Sequence, residues 1–210
     1  MSTPEKLIEG FRRFRERHFT EDDALYRQLI TEGQAPRILV VACCDSRVDP
    51  ALVLDCAPGD LFVIRNVANL VPPAESRDSG RHGTSAALEF GVRSLEVEHI
   101  IVLGHAQCGG IRSLFSGAGA EMGSYMHAWM RAAEEVHAAV VREMPDASPD
   151  EQMIACEQRA ILVSLDNLMT FPWVRERIAQ GALKLHGWYF DIEHGRLLRY
   201  DSASASFQAL

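Results

Sequence analysis

The run Ile38-Leu39-Val40-Val41-Ala42 limits the possible folds more than any other feature of this chain. It is apolar on both faces of a strand, and a strand without a polar face belongs inside a sheet covered on both sides, the usual environment of parallel sheets. His99 to Leu103 repeats the pattern, and Leu61 to Arg65 is a further short strand between the two. Asp49-Pro50 supplies an N-cap and an N1 proline for a short helix after the first strand, and Ser85 to Leu95 reads as the helix before the third. Strand-helix-strand alternation of this kind predicts a right-handed α/β arrangement. Helices are expected over 122–144, 149–168 and 172–180, then a fourth strand over Lys184 to Tyr189. The turn His194-Gly195 folds Leu197 to Tyr200 back as an antiparallel edge strand. Residues 3–32 read as two helices, one carrying Leu7, Phe11 and Phe14 on one stripe, the other opened by Thr20 with Asp23 three positions on. The expected fold is therefore α/β: a central, mostly parallel sheet of four strands plus an antiparallel edge strand, helices on both faces, and an N-terminal helical arm. One domain over 1–210 is expected, divided into the arm, 1–32, and the α/β core, 33–210.

Length and charge narrow the partners. A chain of 210 residues buries roughly 70% of its unfolded surface on folding, enough for one substantial core. Lys and Arg number 21 against 29 Asp and Glu, a net charge of -8, and no basic cluster offers the footprint of a nucleic-acid binder. Ile38 to Cys44, the longest apolar run, is far shorter than the about 20 residues that cross a bilayer, so neither nucleic acid nor membrane is an expected partner. Glu5, Lys6 and Glu9 leave no room for a signal-peptide apolar region. Five cysteines, an odd number, suggest a reducing compartment, and a cytoplasmic location is expected.

The chemistry gathers at strand ends. Cys43 and Cys44 close the first strand, while His105 and Cys108 follow the third. In an open α/β sheet ligands collect beyond the carboxyl ends of the strands, so first and third strands lying side by side would bring these groups together. Cysteine, histidine and cysteine fit zinc best, and three protein ligands leave one tetrahedral position for water, as in catalytic sites. The plain alternative is that the cysteines simply pack as small hydrophobes. Asp45-Ser46-Arg47 argues against it, because a carboxylate, a hydroxyl and a guanidinium are poor core material.

The segments Cys43-Cys44-Asp45-Ser46-Arg47, Arg65-Asn66-Val67-Ala68-Asn69 and Gly104-His105-Ala106-Gln107-Cys108-Gly109-Gly110 together resemble the β-class carbonic anhydrases, and Leu185-His186-Gly187-Trp188 extends the likeness toward the C-terminus. The resemblance implies a zinc lyase that reversibly hydrates carbon dioxide to bicarbonate by zinc-bound hydroxide, with one zinc per chain on Cys43, His105 and Cys108. It makes Asp45 and Arg47 a charged dyad beside the metal. It assigns Phe62, Val67 and Phe90 to the substrate pocket and offers the Gly109 amide to the substrate. Gln34 matches a glutamine that reaches the neighbouring subunit's site in plant-type members, so a homodimer or dimer of dimers is implied. Phe90 replaces a tyrosine frequent in the family, and Val40 stands where the bicarbonate-inhibited subtype has tryptophan.

Cys44 departs from the small residue usual at its position. Adjacent strand side chains point oppositely, so Cys43 is the expected ligand and Cys44 a packed or oxidisable thiol. Cys56 and Cys156 read as core residues, and His82 is the candidate proton relay. Three rival functions remain on sequence grounds: hydrolysis of carbonyl sulfide, hydrolysis of carbon disulfide, and a non-catalytic zinc or thiol redox sensor built on Cys43 and Cys44.

Overall fold

The computed structural model describes residues 3–19, 24–74, 82–116 and 124–210. The expected helix opening at Thr20 to Asp23, the turn Ser79-Gly80 and the segment Gly117 to Gly119 lie outside these residues. The chain divides into two compact units, 1–35 and 36–210. The first consists of α1 (Thr3–His18) and α2 (Ala24–Glu32). Phe14 there packs at a tilt on His18 and Phe19 and edge-on to Tyr26, which ties the two helices together through aromatic contacts.

The second unit is built on a six-stranded sheet of order β2-β1-β3-β4-β5-β6. Its strands are β1 (Ile38–Cys43), β2 (Leu61–Asn66), β3 (His99–His105), β4 (Lys184–Asp191), β5 (Arg196–Asp201) and β6 (Ser206–Ala209). The first four run parallel, and β5 and β6 turn back antiparallel. Strand β6 extends the expected architecture. Its sequence, Ser206-Phe207-Gln208-Ala209, has one inward apolar residue, Phe207, packed edge-on to Tyr189 and against Tyr200.

Connections follow the local signals. Asp49 caps α3 (Pro50–Val53) through Ala51 N–H, with Pro50 at the first helical position. Helix α4 (Gly83–Glu89) runs into a single wide turn, Phe90–Ser94, before β3. Then come α5 (Gly109–Ser116), α6 (Ser124–Glu143), α7 (Pro149–Leu168) and α8 (Pro172–Ala179). Ser148 and Glu151 cap each other reciprocally at the start of α7.

Leu39 and Val41 of β1 and Ile100 and Val102 of β3 share one core with Leu88 of α4 and Ile161 of α7. Beyond the strand ends Cys43, Cys108, Ile111 and Met130 form a second cluster, and Val40, Ala42, Ile101 and Leu103 form a smaller one on the other face of the strands. Strand β1 leads to β2 on one side and has β3 on the other, so the order reverses at β1/β3, where ligands bind in sheets of this type.

Helix α7 crosses β3 closely because residue 104 has no side chain. A Cβ on Gly104 would lie 2.7 Å from Ile161 Cδ1 and 2.8 Å from its Cγ1. Gly104→Ala is expected to lower the unfolding free energy by roughly 1–3 kcal/mol, the usual cost of overpacking, as read by urea denaturation. Unchanged stability would contradict this packing.

Candidate metal centre

The pairing of β1 with β3 builds the site. Ala42 lies opposite Leu103, so Cys43 and His105 leave the sheet on the same rim, and Cys108 follows one turn after His105. Cys43, His105 and Cys108 are all buried, and their donor atoms lie within 4.8 Å of one another. The two sulfurs are 4.0 Å apart, close to the about 3.8 Å that two thiolates bound to one tetrahedral zinc at about 2.3 Å would show. His105 Nδ1 lies 2.8 Å from the Ala106 carbonyl, to which it donates, leaving Nε2 as the lone-pair nitrogen. That Nε2 is buried with no hydrogen-bond partner. A buried imidazole nitrogen without a hydrogen-bond partner, grouped with two thiols, fits a bound cation and is otherwise costly. The donor set of two sulfurs and one nitrogen fits zinc.

The thiols are prepared for charge. Cys43 accepts from the Asp45 backbone N–H at 3.4 Å. Hydrogen bonding from the Cys108 thiol lowers the Cys43 pKa, and the same bond, together with burial, raises that of Cys108. The N–H groups of Gly110 and Ile111, at the start of α5, pull Cys108 back toward thiolate, as expected at a helix N-terminus.

Asp45 and Arg47 stand beside the cluster. Arg47 Nε and Nη2 donate to the two carboxylate oxygens at 2.9 and 2.7 Å, and Arg47 N–H adds a third bond at 3.0 Å. This grip holds the Asp45 carboxyl well below the usual carboxylate range, although burial opposes it. Arg47 Nη2 is held in turn by the Gln107 carbonyl at 3.1 Å. Gln107 has φ 59°, a left-handed conformation unusual for a residue other than glycine or asparagine. Arg65 braces the same turn, donating to the carbonyls of Cys43 and Asp45 and to the Asp49 carboxylate at 2.8–3.0 Å.

The other sequence-derived site residues divide. Val67 packs on the ligand loop: a Cβ on Gly110 would meet Val67 Cγ1 at 2.8 Å. Its carbonyl accepts from Trp129 Nε1, and it lines a cavity of about 790 Å³ with Asn66, His82 and Thr84. Gly109 opens α5 with free space where a Cβ would stand. Phe62 and Phe90 are not at the ligands of this chain. Phe62 pairs with Leu39 at the start of β1, four residues or about 13 Å of strand from the level of Cys43, and packs on Phe90 with ring centroids 5.9 Å apart. Gln34 belongs to the N-terminal unit.

Cys43, the last residue of β1, is buried and Cys44, just beyond the strand, is exposed. Cys156 is fully buried, its thiol pushed up to about 12 by desolvation, while Cys56 is partly buried. Sequence reasoning overlooked Glu157, 3% exposed on α7, which accepts the Cys108 N–H at 2.8 Å. Its one signal was an acid on the stripe of Cys156, Ala160, Ile161 and Ser164.

Residues 38–197 match the family model described as carbonic anhydrase. Among curated relatives, a carbonic anhydrase from Synechocystis sp. is 37% identical over 206 residues, 98% of this chain and 74% of the relative. The chain belongs to the β-class carbonic anhydrases. The chloroplastic β carbonic anhydrase 5 of Arabidopsis thaliana is 41% identical over 186 residues, 88% of this chain, which spans only 60% of that relative's length. Among solved structures, the β-carbonic anhydrase CcaA superposes with a TM-score of 0.91 at 36% identity, covering 100% of both chains. One of two tetrameric β-carbonic anhydrases from Sordaria macrospora follows at 0.84 and 30%, covering 94% of this chain and 96% of its own. These likenesses give no support to the carbonyl sulfide, carbon disulfide or sensor readings. They agree with the zinc chemistry of the donor set.

Burial separates the two adjacent cysteines as metal ligands. Cys43→Ser is expected to leave the purified protein without stoichiometric zinc, whereas Cys44→Ser should keep about one zinc per chain, by elemental analysis. The opposite result would reassign the ligand.

Proposed function

We propose that this chain reversibly hydrates carbon dioxide to bicarbonate and a proton, with Cys43, His105 and Cys108 holding one zinc ion and Asp45 with Arg47 orienting the nucleophile. The observation that carries the reading is the convergence of sulfur, nitrogen and sulfur on one buried point, with a fixed carboxylate beside it. Zinc, when bound, supplies hydroxide near neutral pH by drawing the pKa of water down to about 7.

Asp45 remains an ionised acceptor under all ordinary conditions, because three Arg47 bonds stabilise its charge. Such a carboxylate takes a hydroxyl proton as a hydrogen bond and thereby turns a lone pair of that oxygen toward carbon dioxide. Arg47 also keeps Asp45 out of the group of three donors, so the open state, with this carboxylate off the metal, is the resting form in this reading. The Gly109 amide, at the positive end of α5, binds an oxygen of the anionic product. Val67 supplies an apolar wall, which suits a small linear gas.

Phe62, Phe90 and Gln34 complete the pocket from a second copy of the chain. What supports this is that Phe90 is 45% exposed and sits with Phe62 away from the ligands of its own chain. Leu7, Ile8 and Phe11 of α1 are also exposed, an apolar stripe suited to a partner. A homodimer or dimer of dimers follows, and the Sordaria relatives are tetrameric. Five free cysteines, two of them needed as thiolates, suit a reducing compartment, and we place the chain in the cytoplasm. Among the described residues no helix is long and apolar enough to cross a membrane.

Asp45→Ala is expected to keep its zinc but to slow hydration by roughly 10–100-fold in stopped-flow assays, the usual effect of losing an outer-sphere partner. A variant as fast as the wild type would refute the orienting role.

A further inference from the structure

We propose that Tyr189 is a positioning residue for Cys108, acting through Glu157; the inference rests on the metal centre proposed above. Tyr189 of β4 and Glu157 of α7 are each 3% exposed, and neither belongs to the group of three donor residues. Glu157 Oε1 accepts the Cys108 N–H at 2.8 Å, and its Oε2 accepts the Tyr189 hydroxyl at 2.7 Å. A single carboxylate therefore ties the peptide of one ligand to the central sheet.

The need for such a tie is local. The left-handed turn at Gln107 precedes Cys108, and helix α5 begins only at Gly109, so the Cys108 N–H has no place in the helix ladder. Its carbonyl does: it accepts from Arg112 N–H at 2.9 Å. The peptide groups flanking the Cys108 Cα are thus fixed on one side by α5 and on the other by Glu157. Together they set the direction of the Cα–Cβ bond that delivers sulfur.

Tyr189 is needed because Glu157 has somewhere else to go. A cavity of about 780 Å³ lies alongside, lined by Glu157, Tyr189, Gln107 and Arg112 among others. Arg112 acts on Glu157 as an attracting charge. The phenol hydroxyl holds the second oxygen in line, so the carboxylate stays under Cys108 instead of turning toward that guanidinium.

The test is the rate of zinc release from the loaded protein to a colorimetric chelator, for wild type, Tyr189→Phe, Glu157→Ala and the double variant. Melting of the metal-free proteins is measured alongside. Tyr189→Phe should release zinc about 10-fold faster and Glu157→Ala at least as fast, with the double variant no faster than Glu157→Ala alone. Glu157→Gln keeps an acceptor for Cys108 and lets the Tyr189 hydroxyl accept instead, so it should release zinc more slowly than Glu157→Ala. Wild-type release from Tyr189→Phe overturns the proposal, including the case in which only metal-free melting falls. An unchanged Tyr189→Phe effect in the Glu157→Ala background, or Glu157→Gln releasing faster than Glu157→Ala, does the same. A wild-type protein that holds no zinc would instead sink the metal centre itself.

Discussion

Everything at the centre depends on the parallel pairing of β1 with β3. Cys43 and His105 are far apart in sequence, and only the register that sets Ala42 opposite Leu103 puts both at one rim of the sheet. The close crossing of α7 over Gly104 keeps β3 in that place, and the start of α5 then brings Cys108 back to the same point. A slip of one residue would turn either side chain to the other face. The apolar strands are therefore part of the metal site: each ends in a ligand, Cys43 on β1 and His105 on β3, and the apolar residues before it fix where that ligand stands.

Electrostatics completes what the backbone begins. Two sulfurs at 4.0 Å cannot both carry charge in a buried place without compensation, and a cation between them supplies it. Backbone N–H groups soften the demand on each sulfur. Outside this pair the charges are arranged in opposition: Arg47 binds Asp45, the Gln107 carbonyl binds Arg47, and Arg65 clamps the carbonyls behind them. The carboxylate is consequently a rigid acceptor with a fixed direction, which is the property an orienting group requires.

Much of this was legible in the sequence. The two-sided apolar runs marked buried parallel strands, Asp49-Pro50 marked a helix start, and soft ligands at strand ends marked a metal site. The remainder depended on facts that one-dimensional patterns do not carry. Strand β6 was missed because Ser206-Phe207-Gln208-Ala209 lacks a run of alternating apolar residues; pairing with β5 and the contacts of Phe207 with Tyr189 and Tyr200 hold its place. Glu157 was passed over because acids are exposed by default, and its burial makes sense only once its bond from the Cys108 N–H, which lies outside the α5 ladder, is known. Phe62 and Phe90 fell at pocket positions by resemblance, yet strand register sets Phe62 at the opposite end of β2 from Asn66, which pairs with Cys43, and Phe90 packs on Phe62. The proposed pocket shared between two copies would reconcile those observations, and in the sequence only the resemblance at Gln34 points to it.

The most direct test of the account is zinc K-edge X-ray absorption on protein purified without chelator. The account predicts a four-coordinate shell with two sulfurs at about 2.3 Å and two nitrogen or oxygen atoms at about 2.0–2.1 Å. A shell with no sulfur, with four sulfurs, or with no zinc at all would contradict it.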